Sequence, residues 1–385
     1  MHATFVKIID SDRESEICRI YENQLSSHLC STIKQIDAEM NNLTKAGICG
    51  SIALKASPAE ALVSAVKGKS RQIVERTRGN LHGPITRLVS PGDLGQLMKP
   101  FIFLDAFHMS DTTGFKVCFN NNIMIKFYYI ASLYYNNSCI PLSYTLFLHI
   151  KGFGWHPHSG IATVTVLLEG SLWYEETTST GEVEEGGVEF FRAAGGAWHR
   201  GGPKTLANKS SMKGYQLWVA LPEELENGEP DSHYLSPAQV PTSGPARVIL
   251  GKYLDAESTI PSTPTMNYLD VRLKAGEKWT YHTPEAHNVA FVAVHQGVLK
   301  TDDGEVPAGE LAIFNESAPA DSLEDDGALS FEAIGDTSFM LGTAVKHPYD
   351  LSLGRYSVHT SADALKKGEA RINVIGRELK AKGVI

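Results

Sequence analysis

Short apolar stretches separated by glycine- and proline-containing turns recur along most of the chain after Pro58. Stretches of this length, rich in Val, Ile, Leu, Phe and Thr, are typical of β-strands, and closely spaced turns are typical of all-β domains. The pattern therefore predicts an all-β protein. Predicted strands lie at residues 71–74, 86–89, 100–105, 163–168, 188–191, 247–251, 266–273, 288–295, 311–314 and 339–345.

A proline-rich stretch at residues 230–245 separates two series of predicted strands that have a similar rhythm. Proline-rich connectors commonly join domains, and repeated rhythm indicates a duplicated unit, here a β-barrel. We therefore expect a first barrel domain at 58–240, a second at 241–350 and a C-terminal helical segment at 351–385. Residues 1–57 are polar and carry no cluster of chemically active side chains, so we expect an appended leader, for which disorder and short helices at 14–25 and 33–43 are the alternatives.

The helical segment begins at Ser361, a residue type that commonly caps the first turn of a helix. Its apolar side chains recur at helical spacing, which predicts that one face packs against a barrel; binding of a partner protein is the alternative. The apolar positions are Leu365, Ile372, Ile375 and Leu379.

Residues 117–151 do not fit their surroundings, because 117–150 contain no acid and no glycine and 127–150 carry no charge. A membrane span is one explanation, but Asn136, Asn137, Pro141 and many tyrosines dilute the apolar character. An ordered insertion or lid is a second. The interpretation that we favour is a translated intron, since AT-rich intronic sequence read in frame gives this excess of Asn, Ile, Tyr and Phe.

The formal net charge is −9 at pH 7, and no run of lysine or arginine stands out. Proteins that bind the nucleic-acid backbone need a basic face, so direct nucleic-acid binding is not expected. The sequence has five cysteines, an odd number, and none of them are spaced as CxxC. This pattern supports neither a disulfide framework nor a zinc knuckle. The first ten residues lack the features of a secretory signal. We predict a cytoplasmic protein, with the nucleus as the alternative location, and no membrane association.

The candidate chemistry lies in a His-x-His pair, His156 and His158, just before the strand at 163–168. Residues two apart in an extended strand point to the same side, so both imidazoles face one way. A third imidazole, His199, follows Gly195 and Gly196 and the apolar strand at 188–191. Three neutral imidazoles can bind iron, nickel, copper or zinc and leave positions open for water or substrate.

Three segments of the sequence, taken together, resemble the pirin family of the cupin superfamily. They are residues 152–160 (GFGWHPHSG), 194–199 (AGGAWH) and 214–222 (GYQLWVALP), and the likeness extends over residues 57–347 apart from the insertion. The resemblance implies two stacked cupin barrels with one metal site, in the first barrel. The sequence agrees with this, since the second barrel has no His-x-His pair.

The resemblance also implies an iron site with four protein ligands: the His-x-His pair, one later His, and a Glu two residues beyond it. His156, His158 and His199 match the first three, but position 201 is glycine. Position 162, where other cupins carry a Glu, is alanine. We therefore predict a three-histidine site, with Glu189 as the acid that could replace the missing ligand. If the missing carboxylate weakens binding, Gly201→Glu should tighten it.

Two activities follow from the resemblance. One is iron-dependent dioxygenation of flavonols of the quercetin type, which implies a small aromatic substrate, Fe or another divalent transition metal, and no nucleotide cofactor. The other is metal- or redox-responsive binding to a regulatory protein, as a transcription cofactor does. A bicupin with a vestigial site is the third interpretation. The sequence assigns the three histidines as metal ligands and assigns no catalytic residue.

Overall fold

A computed structural model describes residues 71–110, 153–177, 179–204, 211–261, 265–316 and 328–385. The predicted leader at 1–57 and the insertion at 117–151 lie outside these ranges, so the predictions made for them stay predictions. No helix in the described ranges is both long enough and apolar enough to cross a membrane.

Strands dominate the described residues, and helices are few. The first thirteen strands are β1 (Ile73–Thr77), β2 (Asn80–His82), β3 (Ile85–Val89), β4 (Phe101–Ser110), β5 (Phe153–His158), β6 (Ile161–Glu169), β7 (Ser171–Glu176), β8 (Thr180–Glu184), β9 (Val188–Arg192), β10 (Ala197–Pro203), β11 (Ser211–Ala220), β12 (Asp231–Leu235) and β13 (Thr242–Ser243). The others are β14 (Ala246–Leu250), β15 (Lys252–Tyr253), β16 (Ala256–Glu257), β17 (Met266–Leu273), β18 (Lys278–His282), β19 (Val289–Gln296), β20 (Val298–Thr301), β21 (Gly304–Pro307), β22 (Leu311–Phe314), β23 (Ala328–Ala333), β24 (Thr337–Ala344), β25 (Ser352–Leu353) and β26 (Val358–His359). The helices are α1 (Gly95–Met98), a 3₁₀ turn at Pro237–Gln239, and α2 (Ala362–Ala381).

Each barrel is made of one large and one small antiparallel sheet. In the first barrel the large sheet has the order β12-β9-β6-β11-β4-β3-β2 and the small sheet β5-β10-β7-β8. In the second the orders are β1-β22-β19-β24-β17-β14-β13 and β18-β23-β20-β21. The predicted fold class, all-β with two cupin barrels and a short C-terminal helical segment, is confirmed.

Strand β1 does not join the barrel whose strands follow it in the chain. It precedes the first barrel along the chain, yet it pairs with β22 in the large sheet of the second barrel, with Thr77 opposite Leu311. The pairing is fixed further by Arg71, which is fully buried and donates hydrogen bonds to the carbonyl oxygens of Asn288 and Asn315. Local strand propensity does not report which sheet a strand will join.

The two large sheets pack against each other through one apolar core, which includes Val164 and Leu217 from the first barrel and Phe291 and Met340 from the second. The barrel interiors differ in chemistry. That of the second is packed largely with apolar side chains: Leu269, Val271, Val292, Leu299, Phe331 and Phe339. Buried polar side chains lie in the first: His158, Thr163, Thr165, Glu189 and His199.

Helix α2 is a continuous helix whose start agrees with the predicted cap. The Ser361 side chain accepts a hydrogen bond from the backbone N–H of Ala364 at 3.2 Å. The negative charge of Asp363 in the first turn interacts favourably with the positive end of the helix dipole. Ile372 is buried, and Trp198 of β10 donates a hydrogen bond to its carbonyl oxygen at 2.8 Å. The helix therefore packs against the first barrel, as the apolar stripe predicts.

Candidate metal centre

The small sheet of the first barrel brings the three predicted histidines together. His156 and His158 lie on β5, and the antiparallel register places His199 of β10 directly opposite His156. Gly160 follows β5 with a φ of +77° and has no room for a side chain, because a Cβ atom would collide with the carbonyl oxygen of Val358. A glycine at this turn lets the chain reverse immediately after the second histidine.

The three imidazole rings face one another. Their ring centroids are 5.0 Å apart for His156 and His158, 4.3 Å for His156 and His199, and 5.0 Å for His158 and His199. One ring nitrogen of each lies within 4.8 Å of the others, an arrangement that could hold a metal ion. Among the described residues no carboxylate or thiolate joins them.

Hydrogen bonds orient two of the rings. His156 Nδ1 lies 2.8 Å from the carbonyl oxygen of Gly154, and His158 Nδ1 lies 3.1 Å from that of Tyr356. Because a carbonyl oxygen only accepts, each Nδ1 carries the hydrogen and each Nε2 keeps its lone pair. In His199 the Nε2 atom is buried and has no hydrogen-bond partner within the described ranges. All three Nε2 atoms fit the role of metal ligand.

The environment keeps these imidazoles neutral, as a ligand must be. Burial, together with the neighbouring His156, lowers the pKa of His158 to about 3, although the bond to the Tyr356 carbonyl opposes the shift. Burial and the two other histidines hold the pKa of His199 well below its usual value. Burial also lowers the pKa of His156. A protonated imidazole cannot bind a cation, so low pKa values favour metal binding at neutral pH.

Aromatic side chains from the large sheet cover the other side of the cluster. The ring of Phe191 stacks on His199 at 4.8 Å, and that of Trp218 contacts His158 edge-on at 4.8 Å. Thr163 of β6 lies between these two residues in the sheet, paired with both. It is 1% exposed, and its hydroxyl has no hydrogen-bond partner in the described part of the chain. A buried hydroxyl of this kind needs a partner, which a bound water or ligand would supply.

Comparison with known proteins identifies the family. The family model named Pirin matches residues 84–219, which include all three histidines. Residues 84–219, the segment that holds the three histidines, belong to the pirin family. Over 153 residues it is 35% identical to a pirin-like protein of Arabidopsis thaliana, covering 38% of this chain and 49% of that protein. A Pseudomonas aeruginosa protein named "putative quercetin 2,3-dioxygenase" is 32% identical over 197 residues, which cover 48% of this chain and 66% of its own.

Solved structures agree on the fold. A quercetin 2,3-dioxygenase from Acinetobacter baumannii superimposes with a TM-score of 0.61 at 22% identity, covering 79% of this chain and 97% of that one. A Geobacillus kaustophilus protein gives a TM-score of 0.53 at 19% identity, with 73% and 99% coverage. At these identities the likeness shows a shared fold.

The two positions at which the sequence lacks an expected carboxylate have different surroundings. Ala162 belongs to the apolar core between the barrels, on the face of β6 opposite to Thr163, so a side chain there points away from the histidines. At Gly201 a Cβ atom would lie 2.9 Å from the backbone carbonyl oxygen of Trp173. Gly201→Glu therefore requires a small shift of β10 against β7, and the tighter metal binding expected of this substitution stays a prediction.

Glu189, the predicted substitute ligand, is part of a buried pair of carboxyl groups with Glu176. Glu189 shares a face of β9 with Phe191, and Glu176 lies opposite His199 in the pairing of β7 with β10. Burial and the nearby Glu176 raise the pKa of Glu189 to about 8. The raised pKa favours the protonated form of Glu189 at neutral pH when no metal is bound. No feature of the sequence indicates this pairing.

Glu189→Gln is expected to flatten the dependence of stability on pH. The pKa of Glu189 rises from 4.5 when unfolded to about 8 when folded, so the folded protein binds the extra proton between these values. The stabilisation from this bound proton is fully present below pH 4.5 and is lost as the pH rises towards 8, by up to about 1.4 kcal/mol per pH unit. Thermal unfolding between pH 6 and 9 should show a steeper fall for the natural protein than for the variant. Parallel curves would show that Glu189 ionises normally.

Proposed function

We propose that this protein is an iron-dependent dioxygenase that acts on flavonol-type aromatic enols, with His156, His158 and His199 as the metal ligands. The observation that carries the proposal is the convergence of three neutral imidazoles beneath an aromatic wall, where the buried Nε2 of His199 has no hydrogen-bond partner among the described residues. The likeness to proteins named for quercetin dioxygenation supports the choice of substrate class. Bound iron would supply the reaction with molecular oxygen, as it does in other oxygenases with open coordination positions.

The ligand set favours a substrate that carries a negative charge. Three imidazoles add no charge, so the full positive charge of a divalent ion remains available to an enolate oxygen. Position 201, where other pirins carry a carboxylate that could act as a base, is glycine in this chain, and the raised pKa of Glu189 favours its protonated form at neutral pH. We therefore infer that the substrate binds as the enolate, and that turnover rises with pH as the substrate ionises.

The large sheet shapes the substrate side of the site. Trp218 stacks on Phe103 with ring centroids 4.2 Å apart, and Arg87 lies over the Phe103 ring at 4.2 Å, so this wall is held by packed neighbours. Aromatic walls of this kind favour a planar aromatic ligand and exclude water. Thr163 places a hydroxyl on the same wall, and we assign it a hydrogen bond to the bound substrate.

Thr163→Val is expected to slow turnover about tenfold without loss of metal, because valine has nearly the same shape but cannot form the hydrogen bond. The assay would follow the absorbance of quercetin and the uptake of oxygen, using untagged protein loaded with Fe²⁺ under anaerobic conditions. His158→Ala, which removes a ligand, should abolish turnover. Absence of quercetin turnover by the metal-loaded natural protein would contradict the proposed activity, and an unchanged rate in Thr163→Val would contradict the role of the hydroxyl.

A further inference from the structure

The chain after the second barrel returns to the first barrel and packs beside the three histidines. We call residues 351–385 the C-terminal arm; it contains β25, β26 and α2. Its first contact with the site is direct, since the carbonyl oxygen of Tyr356 lies 3.1 Å from His158 Nδ1. This bond sets which nitrogen of His158 carries the hydrogen and how its ring is turned, and such outer partners of metal-binding histidines tune metal affinity.

The arm also binds the residue that follows His158. Ser159 Oγ is hydrogen-bonded to Ser357 Oγ at 2.8 Å and to His359 Nε2 at 3.0 Å, and the two serines form a parallel β-bridge. The backbone N–H of Val358 donates to the Ser159 carbonyl oxygen at 3.2 Å. The backbone on one side of His158 is thus fixed by the arm at side-chain and main-chain positions.

A buried carboxylate anchors this part of the arm to the first barrel. Glu226 is 1% exposed, and its Oε2 lies 3.1 Å from His359 Nδ1. Thr360 donates to the same carboxylate through its backbone N–H and its hydroxyl, both at 2.7 Å. His359 therefore connects Glu226 to Ser159 through its two ring nitrogens. Gly368 of α2 packs against His359 and Ser159 so closely that a Cβ atom would collide with both.

Another contact adjoins the third histidine. Trp198 immediately precedes His199, and its indole N–H donates to the Ile372 carbonyl oxygen of α2 at 2.8 Å. Gly376 lies against the same indole, where a Cβ atom would be 2.6 Å from Trp198 Cζ2. The arm therefore holds the chain neighbours of two of the three histidines, and it does so with two separate elements.

We infer that the C-terminal arm is a positioning element of the metal centre, with His359 as its central positioning residue. The inference rests on the proposed function, because it takes His158 and His199 as ligands. It assigns to the arm the orientation of His158, through the Tyr356 carbonyl, and the placement of His199, through Trp198. A first barrel whose strands are intact but whose arm is loosened should bind metal weakly and with altered geometry.

The test uses Co²⁺ as the probe with the full chain, because its visible spectrum reports both binding and coordination geometry. In His359→Ala the dissociation constant for Co²⁺, measured by competition with a chelator, should rise about tenfold or more, the range seen when an outer partner of a ligand is lost. The Co²⁺ absorption bands should shift as well. Trp198→Phe, which keeps an aromatic ring but loses the indole N–H that donates to Ile372, should weaken binding by an independent route. If His359→Ala does not fold, Ser357→Ala loosens the same connection by removing one hydroxyl.

His287→Ala is the matched control. His287 is a buried histidine of the second barrel whose Nδ1 lies 3.0 Å from the hydroxyl of Thr343, and it is not among the clustered histidines. This variant should lose stability yet keep the Co²⁺ affinity and spectrum of the natural protein. Equal weakening in both variants, or an unchanged affinity and spectrum in His359→Ala, would overturn the role of the arm while leaving the metal centre intact. A natural protein that binds no Co²⁺ would overturn the proposed metal centre itself, and the arm's role with it.

Discussion

Replacing His158 with alanine will strip most of the bound metal from this protein. His158 is 2% exposed, is neutral because its pKa is about 3, and has its Nε2 free to bind. With one of three imidazoles gone and no carboxylate among the described residues to replace it, the remaining two ligands hold the ion weakly. The loss in affinity should exceed the roughly 10- to 100-fold that removal of an outer hydrogen-bond partner costs. Elemental analysis of protein purified without a histidine tag measures it.

The control for this prediction is His82→Ala. His82 lies on β2, is exposed and is not part of the histidine cluster, so its loss should leave the metal content unchanged. If His158→Ala retains as much metal as His82→Ala, the ion is bound elsewhere and the assignment of His158 is wrong.

Phe291→Ala will produce the largest loss of stability in the core. Phe291 is fully buried at the junction of the two large sheets, with its ring 5.3 Å from Phe101 of the first barrel and 6.4 Å from Tyr268 of the second. Gly342 lies against the same ring, so the cavity left by alanine cannot be filled by a side chain there. Replacement of a buried Phe by Ala typically costs about 3–5 kcal/mol. Urea denaturation followed by fluorescence and circular dichroism gives the free energy of unfolding.

Leu81→Ala provides the comparison, since Leu81 is 75% exposed on β2 and should change stability by less than about 0.5 kcal/mol. A cost for Phe291→Ala no larger than that for Leu81→Ala would mean that the shared core between the barrels contributes little to folding.

Much of the fold could be predicted from the sequence because its signals are local. Glycine-bounded apolar stretches mark the strands, and the predicted strand at 311–314 coincides with β22. Ser361 and the apolar stripe after it mark α2. Where an element packs depends on contacts far apart in sequence, which local patterns do not encode. The pairing of β1 with β22 and the docking of α2 beside Trp198 belong to this class.

In the candidate site, too, some features follow from local sequence and others depend on distant contacts. The common direction of His156 and His158 follows from the two-residue period of a strand, whereas the position of His199 opposite His156 depends on the register of β10 against β5. The sequence marks Ala162 as the missing carboxylate position, but the structure places Thr163 on the wall that faces the histidines. Tyr356 contributes through its backbone carbonyl, which any residue possesses, so no residue type could have signalled it.

The metal content of the untagged protein tests the central claim most directly. After incubation with Fe²⁺ and removal of free ions, the account predicts one bound ion per chain in the natural protein and almost none when His156, His158 and His199 are all replaced by alanine. A natural protein that retains no metal, or a triple variant that retains one ion, would contradict the assignment of the three histidines as a metal centre.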